Sequence, residues 1–341
     1  LNTLDDFGET MSFPTKISSL ALKSACKFSA AALLLMHATA WAQNYPAKNI
    51  TLIVPYPAGG GTDLFARAIA QDMGRQFERQ IVIDNRSGAS GNIGAEAVVR
   101  AAPDGYTLLY TPSPIAVSKV LSKDVRFDSQ RDLRPISMAI SIPLILVVHP
   151  SMPVKNAKEL IALAKARPGT LTYSSAGIGT SGHFTMELLN SITGFDTRHV
   201  PYRGAAPALT AVISGEVQMA FLVPPLVTQY LPIGKLRALG ISSAARSAVF
   251  PQIQTLQEQG VRGYEALQWH GFFGPAAIPD AIVNTLHAAI VKALAHPEVK
   301  WRLSSEGAEI VGSTPAQFAA YFQSEIAKWT SVAKRAGIQP Q

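Results

Sequence analysis

"TLIVPYPAGGGTDLFARAIAQDMG", residues 51–74, is an apolar strand-like run that ends in three consecutive glycines and resumes as a helix. A helix start exposes backbone N–H groups that lack intrahelical partners, and glycines before it let a ligand approach the backbone. Together they form a common kind of anion site. Taken alone, the stretch suits phosphate, nucleotide or carboxylate equally.

Outward from it the alternation continues. Apolar runs "QIVIDN" (80–85), "YTLLYT" (106–111), "PLILVVHP" (143–150), "LTYSSA" (171–176), "DTRHVPY" (196–202) and "VQMAFL" (217–222) read as strands. Helical patterns at about 63–74, 92–101, 155–167, 182–192 and 205–214 lie between them, punctuated by Gly and Pro. Strands separated by helices of this length predict βαβ units and mainly parallel sheets, an α/β fold. Pro143 reads as a crossover into a second sheet and "YEALQWHGFFGPAAIP" (264–279) as the return. The expected lobes are therefore 43–142 with 268–341, and 143–267. Helices at about 280–295, 297–306 and 315–336 should pack back onto the first lobe.

Residues 1–42 read as a targeting segment. Lys16, Lys23 and Lys27 precede the apolar stretch "FSAAALLLMHATAWA", and Ala40-Trp41-Ala42 fits small-x-small cleavage. The apolar stretch is short of the roughly 20 residues that span a bilayer. Met11 is the expected start. The single cysteine, Cys26, precedes the apolar core, so a lipid anchor is not expected, and no thiol would survive cleavage. A disulfide, a cysteine nucleophile and a thiolate metal site are thereby excluded from the mature protein. The expected location is the periplasm.

Four loops rich in glycine and hydroxyls join a strand to the next helix: "PYPAGGGTD" (55–63), "NRSGASGN" (85–92), "SSAGIGTSGH" (174–183) and "PYRGAAP" (201–207). Such loops gather at the carboxyl edge of a parallel sheet, where ligands bind. Any α/β protein also needs tight turns and caps, but four together favour an anion site. The first loop lacks the Gly-Lys-Ser/Thr ending of a P-loop. Gly177-Ile-Gly179-Thr-Ser-Gly182 matches the dinucleotide fingerprint, yet Asp196 lies before the next strand and could not reach ribose hydroxyls.

Catalytic constellations are thin. Ser24-Ala-Cys-Lys27 falls in the targeting segment, and Ser331-Val-Ala-Lys334 has no companion motif. The histidines show no metal-ligand spacing, so no metal or cofactor is expected. His183, at a helix start, reads as a hydrogen-bonding group rather than a base. Net charge is +7, but Lys and Arg are scattered without interleaved aromatics, which argues against nucleic acid.

The motifs "VPYPAGGGTDLFAR", "NRSGASGNIGAEAV", "APDGYTLLYT", "SSAGIGTSGH", "VPYRGAAPAL" and "SGEVQMAF", in this order, resemble the Bug family, the extracytoplasmic solute receptors of tripartite tricarboxylate transporters. The resemblance runs from about residue 45 to the C-terminus. It implies a two-lobed, type II periplasmic-binding-protein fold, with a small carboxylate closed in the interdomain cleft and passed to a membrane permease. It implies no enzymatic activity. It maps carboxylate binding onto Tyr56, Ala58, Gly59, Gly61, Thr62 and Asp63. From the second lobe it maps Ser174, Ser175, Gly179, Thr180 and His183, with Tyr202 and Arg203 nearby. Many family members carry an aspartate where this chain has Phe221-Leu222-Val223-Pro224. An apolar wall there leans toward an aromatic carboxylate such as terephthalate. Equally, Phe221 and Leu222 can be the buried end of a strand.

The readings that compete with a monomeric transport receptor are an exported hydrolase or transferase using His183 and a loop serine, and a ligand-binding subunit for a membrane sensor. Mass spectrometry of the exported protein should find the mature N-terminus at or near Gln43. Retention of residues 11–42 in a soluble cytoplasmic pool would end the export reading.

Overall fold

The computed structural model describes residues 45–340. Residues 1–42, the expected targeting segment, lie outside them. The first sheet has the order β11-β4-β10-β3-β1-β2 and the second β7-β6-β8-β5-β9. The first is built from β1 (Ile50–Val54), β2 (Ile81–Asn85), β3 (Thr107–Pro112), β4 (Leu133–Pro143), β10 (Leu267–Pro275) and β11 (Glu309–Ile310). The second contains β5 (Ile145–Val148), β6 (Leu171–Ser175), β7 (Thr197–Pro201), β8 (Met219–Leu222) and β9 (Arg237–Ile241). The longer helices are α1 (Gly61–Phe77), α2 (Asn92–Val99), α3 (Ala157–Ala166), α4 (Ser181–Thr193), α5 (Ala205–Ile213), α6 (Asp280–Ala295), α7 (Pro297–Ser305) and α8 (Pro315–Arg335).

The expectation of mainly parallel sheets needs correction. β1 pairs in parallel with β2 and β3, and β6 with β7 and β8. However, β10 runs antiparallel to β3 and β4, and β5 runs antiparallel to β8 and β9. The chain leaves the first sheet along β4 and returns along β10, and a strand that returns beside its own exit must run the other way.

At the crossing, Ser242 binds both connections. Its Oγ accepts the Leu144 N–H at 2.8 Å and donates to the Ala266 carbonyl. Its own N–H donates to Leu144 O at 2.9 Å, and Ala266 N–H donates to Ser242 O at 3.0 Å. Ser242 is fully buried, so these groups have no water to fall back on.

α1 forms because Phe65, Ile69 and Met73 recur at i, i+4 and i+8 and are all buried. α8 begins at a capping box, with Thr314 and Gln317 exchanging bonds and Pro315 at the first turn. Its first half does pack on the first lobe, where Phe318 and Phe322 join Trp269 and Phe273. Its second half does not: Trp329, Val332 and Ala333 belong to the second lobe's core with Phe184 and Tyr173. The tail therefore spans both lobes, contrary to the expectation of packing on the first alone. The cause is the apolar stripe, which continues past Phe322 to Trp329 and Ala333 and must be buried along its whole length.

Glu325 sits where the two cores meet. It is 1% exposed, accepts the indole N–H of Trp269 at 3.0 Å and of Trp329 at 2.8 Å, and pairs with Lys328. Glu325→Ala should leave two buried indole N–H groups unpaired and destabilise the protein by about 3 kcal/mol. Glu325→Gln, which keeps an acceptor, should cost less, and exposed Glu298→Ala under about 1 kcal/mol. Urea unfolding of the three variants checks this ordering.

Candidate functional site

A cavity of about 350 Å³ lies between the loops of the two lobes. The first lobe contributes Tyr56, Thr62, Ser90, Pro112, Pro114 and Leu121, and the crossing segments contribute Leu144 and Gln268. The second lobe contributes Ala176 with Ile178–Gly182, Ala205, and Phe221–Val223 with Leu226. No Asp, Glu, Lys or Arg is among these residues.

α1 and α4 both begin at this cavity. α1 follows Gly60 and α4 follows Thr180, and in neither case does the preceding side chain cap the helix. The Thr180 hydroxyl donates instead to Gly177 O at 2.8 Å. First-turn N–H groups and the positive helix ends thus remain for a ligand from both lobes, which suits a molecule with two anionic ends. Between those ends the walls are apolar, formed by Leu121, Leu144, Phe221, Leu222 and Leu226.

Of the residues expected from the sequence, Tyr56, Thr62, Gly179, Thr180, Phe221 and Leu222 line the cavity. Ala58, Gly59 and Gly61 are exposed on the first loop, beside but outside the lining. Asp63 is turned inward: it is 1% exposed and accepts from Gly59 N–H and Arg67 Nε, both at 2.8 Å, and from Asn85 Nδ2 at 2.9 Å. Burial alone would raise its pKa, but these hydrogen bonds outweigh it and hold the carboxylate below its ordinary value. Asp63 therefore shapes the glycine loop. Arg67, half-exposed, is held by the same carboxylate.

Several second-lobe residues are supports rather than walls. Ser174 donates to Ala208 O at 2.8 Å, beneath the surface. His183 is buried and accepts the Gly179 N–H on Nδ1 at 3.1 Å. His183 stacks on His199 at 4.0 Å between centroids, and His199 stacks on Tyr173 at 4.8 Å. Tyr202 donates to Glu216 at 2.8 Å, and Arg203 is exposed outside the lining.

Ser175 forms a pair that the sequence does not reveal, its Oγ lying 2.7 Å from His199 Nε2. The same hydroxyl also reaches Gly177 O at 3.0 Å and accepts the Gly177 N–H at 3.1 Å. Ser175 has no exposed surface and does not line the cavity, so the pair braces the 176–180 loop instead of presenting a nucleophile. Among the described residues, no cluster of His, Cys, Asp or Glu could hold a metal.

Ser90 and Gln268 were not anticipated. Ser90 follows Ala89, and both hold left-handed backbone, φ 56° and 46°, which non-glycine residues adopt at some cost. Gly91, at φ 95°, lets Tyr56 approach closely, since an added Cβ would lie 3.3 Å from the phenol oxygen. The phenol in turn lies 3.3 Å from Ser90 O. The glycine pattern marked this loop but not which residue faces inward. Gln268 sits on the return strand and carries no local signal at all.

A larger groove of about 700 Å³ carries Lys155, Arg237 and Arg246. Arg237 is spent on the carbonyls of Pro150, Met152 and Val154, and Arg246 on Glu258.

The chain is similar to protein BugT of Bordetella pertussis, 35% identical over 300 residues that cover 87% of this chain and 92% of BugT. Among solved structures it is similar to R. palustris Rpa4515 with adipate, at 34% identity and TM-score 0.73, covering 87% of this chain and all of that one. It is also similar to MatC (Rpa3494) from Rhodopseudomonas palustris with bound malate, at 30% identity and TM-score 0.69, covering 84% and 99%. A sequence model of the tripartite tricarboxylate transporter family receptor matches residues 65–338. With an uncharged cleft walled by two lobes and two helix starts, the chain belongs to this family of solute-binding receptors, whose members are not enzymes.

Proposed function

We propose that this protein is a monomeric periplasmic receptor that captures a dicarboxylate with an apolar body and delivers it to a tripartite tricarboxylate-type permease. The observation that carries the reading is the cavity's division: an uncapped helix start in each lobe, and apolar walls between them. Each carboxylate is held by backbone N–H groups and by the hydroxyls of Thr62, Ser90 and Ser181. The body rests on Leu121, Leu144, Phe221, Leu222 and Leu226, which suits a straight aliphatic chain such as that of adipate or a planar ring such as that of terephthalate.

Leu222 is also part of a packed core, 4% exposed among Leu209, Val227 and Ile241, so specificity is better probed through the ligand than by charging this residue. A thermal-shift series over adipate, terephthalate, malate, aspartate and glutamate tests the reading, because a ligand bound only by the native state raises the midpoint. Adipate or terephthalate should stabilise most. Aspartate and glutamate should bind roughly tenfold or more weaker, since the lining offers their ammonium no carboxylate. Equal or tighter binding of amino dicarboxylates would overturn the apolar-body assignment.

Gly61→Val tests the backbone contact. A Cβ at Gly61 would lie 4.0 Å from Phe65, an ordinary contact, so the variant should fold. It should nevertheless weaken carboxylate binding roughly tenfold or more by obstructing the helix start. Calorimetry showing unchanged affinity would place the anion elsewhere.

Acid should loosen the site's supports. Burial lowers His270 to about 3 and His199 to about 4, and burial with the neighbouring His199 lowers His183 to about 3. Because the unfolded chain protonates its histidines near 6.5, it binds more protons than the native state below that pH. Stability from these groups is therefore full above about pH 6.5 and is lost progressively as pH falls toward 4 and 3. Asp63 adds its own loss only as pH falls through its lowered pKa, below 3.8. Thermal midpoints between pH 8 and 4 should fall below about 6.5, and His199→Phe should flatten the slope.

A further inference from the structure

His270 is 1% exposed on the return strand β10, and its Nε2 lies 3.2 Å from the Thr62 hydroxyl, the side chain that lines the cavity at the start of α1. The ring is sealed by Tyr110, stacked at 5.7 Å, and by the edge of Phe65 at 5.4 Å. Its other nitrogen, Nδ1, is buried with no hydrogen-bond partner among the described residues. Burial keeps the imidazole neutral, so it carries a single N–H. Placed on Nδ1, that hydrogen would be a buried donor facing nothing, whereas a bare nitrogen lone pair is the lesser penalty. The hydrogen therefore belongs on Nε2, donated to Thr62 Oγ1. Thr62 makes no other side-chain hydrogen bond among the described residues, and its own hydrogen is left to point into the cavity.

We infer that His270 is a positioning residue that fixes the Thr62 hydroxyl as a hydrogen-bond donor toward the bound solute, selecting an oxygen that only accepts, as a carboxylate does. The inference deepens the carboxylate reading and rests on it for the nature of the acceptor. The strand geometry supports the placement. β10 shifts register against β4 between His270 and Gly271, and a Cβ on Gly271 would lie 2.3 Å from Phe318 of α8. That tight seat holds the strand irregularity and so aims the ring.

The test joins nitrogen-15 NMR of the imidazoles to calorimetry with adipate. In the ligand-free wild type, the resonances that vanish in His270→Gln should report the tautomer protonated on Nε2. For adipate, Thr62→Val should weaken binding roughly tenfold, and His270→Phe, which keeps an aromatic ring but no donor, roughly fivefold. Combined, they should be no worse than Thr62→Val alone, because both remove the same oriented hydrogen. Thr62→Ser and His270→Gln keep the hydroxyl and the donor, and each should stay within about twofold of wild type. An Nδ1-protonated ring, or losses that multiply in the double variant, would overturn the inference. The tautomer is read without any solute. If adipate failed to bind, that would count against the carboxylate reading, while the NMR result would still decide the role of His270.

Discussion

Ser242 joins both crossing connections through one hydroxyl, accepting from Leu144 and donating to Ala266, while its backbone does the same in reverse. Each lobe is a separate sheet, and the two segments flanking Ser242 and the final helix are among the links that tie them together. Where those segments cross decides which loop ends face each other. Leu144 and Gln268, immediately beside the crossing, are themselves part of the cavity floor. A shift at this clasp would move the two helix starts relative to one another, and with them the spacing of any two anionic groups held between. The clasp can be rigid because every polar atom in it is paired in a place without water.

Much of this was legible in the chain. The strand-glycine-helix pattern at 51–74 located α1 and the first wall, since apolar period, glycine and helix start all act locally. The same signals located α2 through α8 within a few residues. β4, Leu133–Pro143, escaped notice as a strand, and Pro135 interrupts its first half. That proline is tolerated because β11 covers only Ile140 and Ser141, leaving its flank unpaired. The antiparallel return of β10 was invisible for a different reason. Strand direction depends on where the chain goes between elements, and a strand's residues carry no mark of it.

The site separated along the same line. Loops were found, but the facing of individual residues within them was not. Asp63, Ser174, Ser175 and His183 have the chemistry of ligand contacts, and each turned out to satisfy a backbone or side-chain group behind the wall. A loop that offers its N–H groups to a solute must have something else holding its shape, and buried polar side chains of these types do that well. Residues that look catalytic in a line of sequence can thus be the masonry of a binding loop. The serine–histidine pair at Ser175 and His199, visible only in the fold, serves the same end.

α8 lies across both lobes, with Phe318 and Phe322 in one core and Trp329 and Val332 in the other. Widening the cleft must bend this 21-residue helix or slide Trp329 off Phe184, whose rings meet edge-on at 5.6 Å. The resistance to that motion comes from aromatic packing that never touches the solute. How long a captured molecule dwells is then set jointly by its own contacts and by the stiffness of a strap at the back of the protein. Two receptors with identical cavity walls could therefore hold the same cargo equally well when closed and yet release it at very different rates.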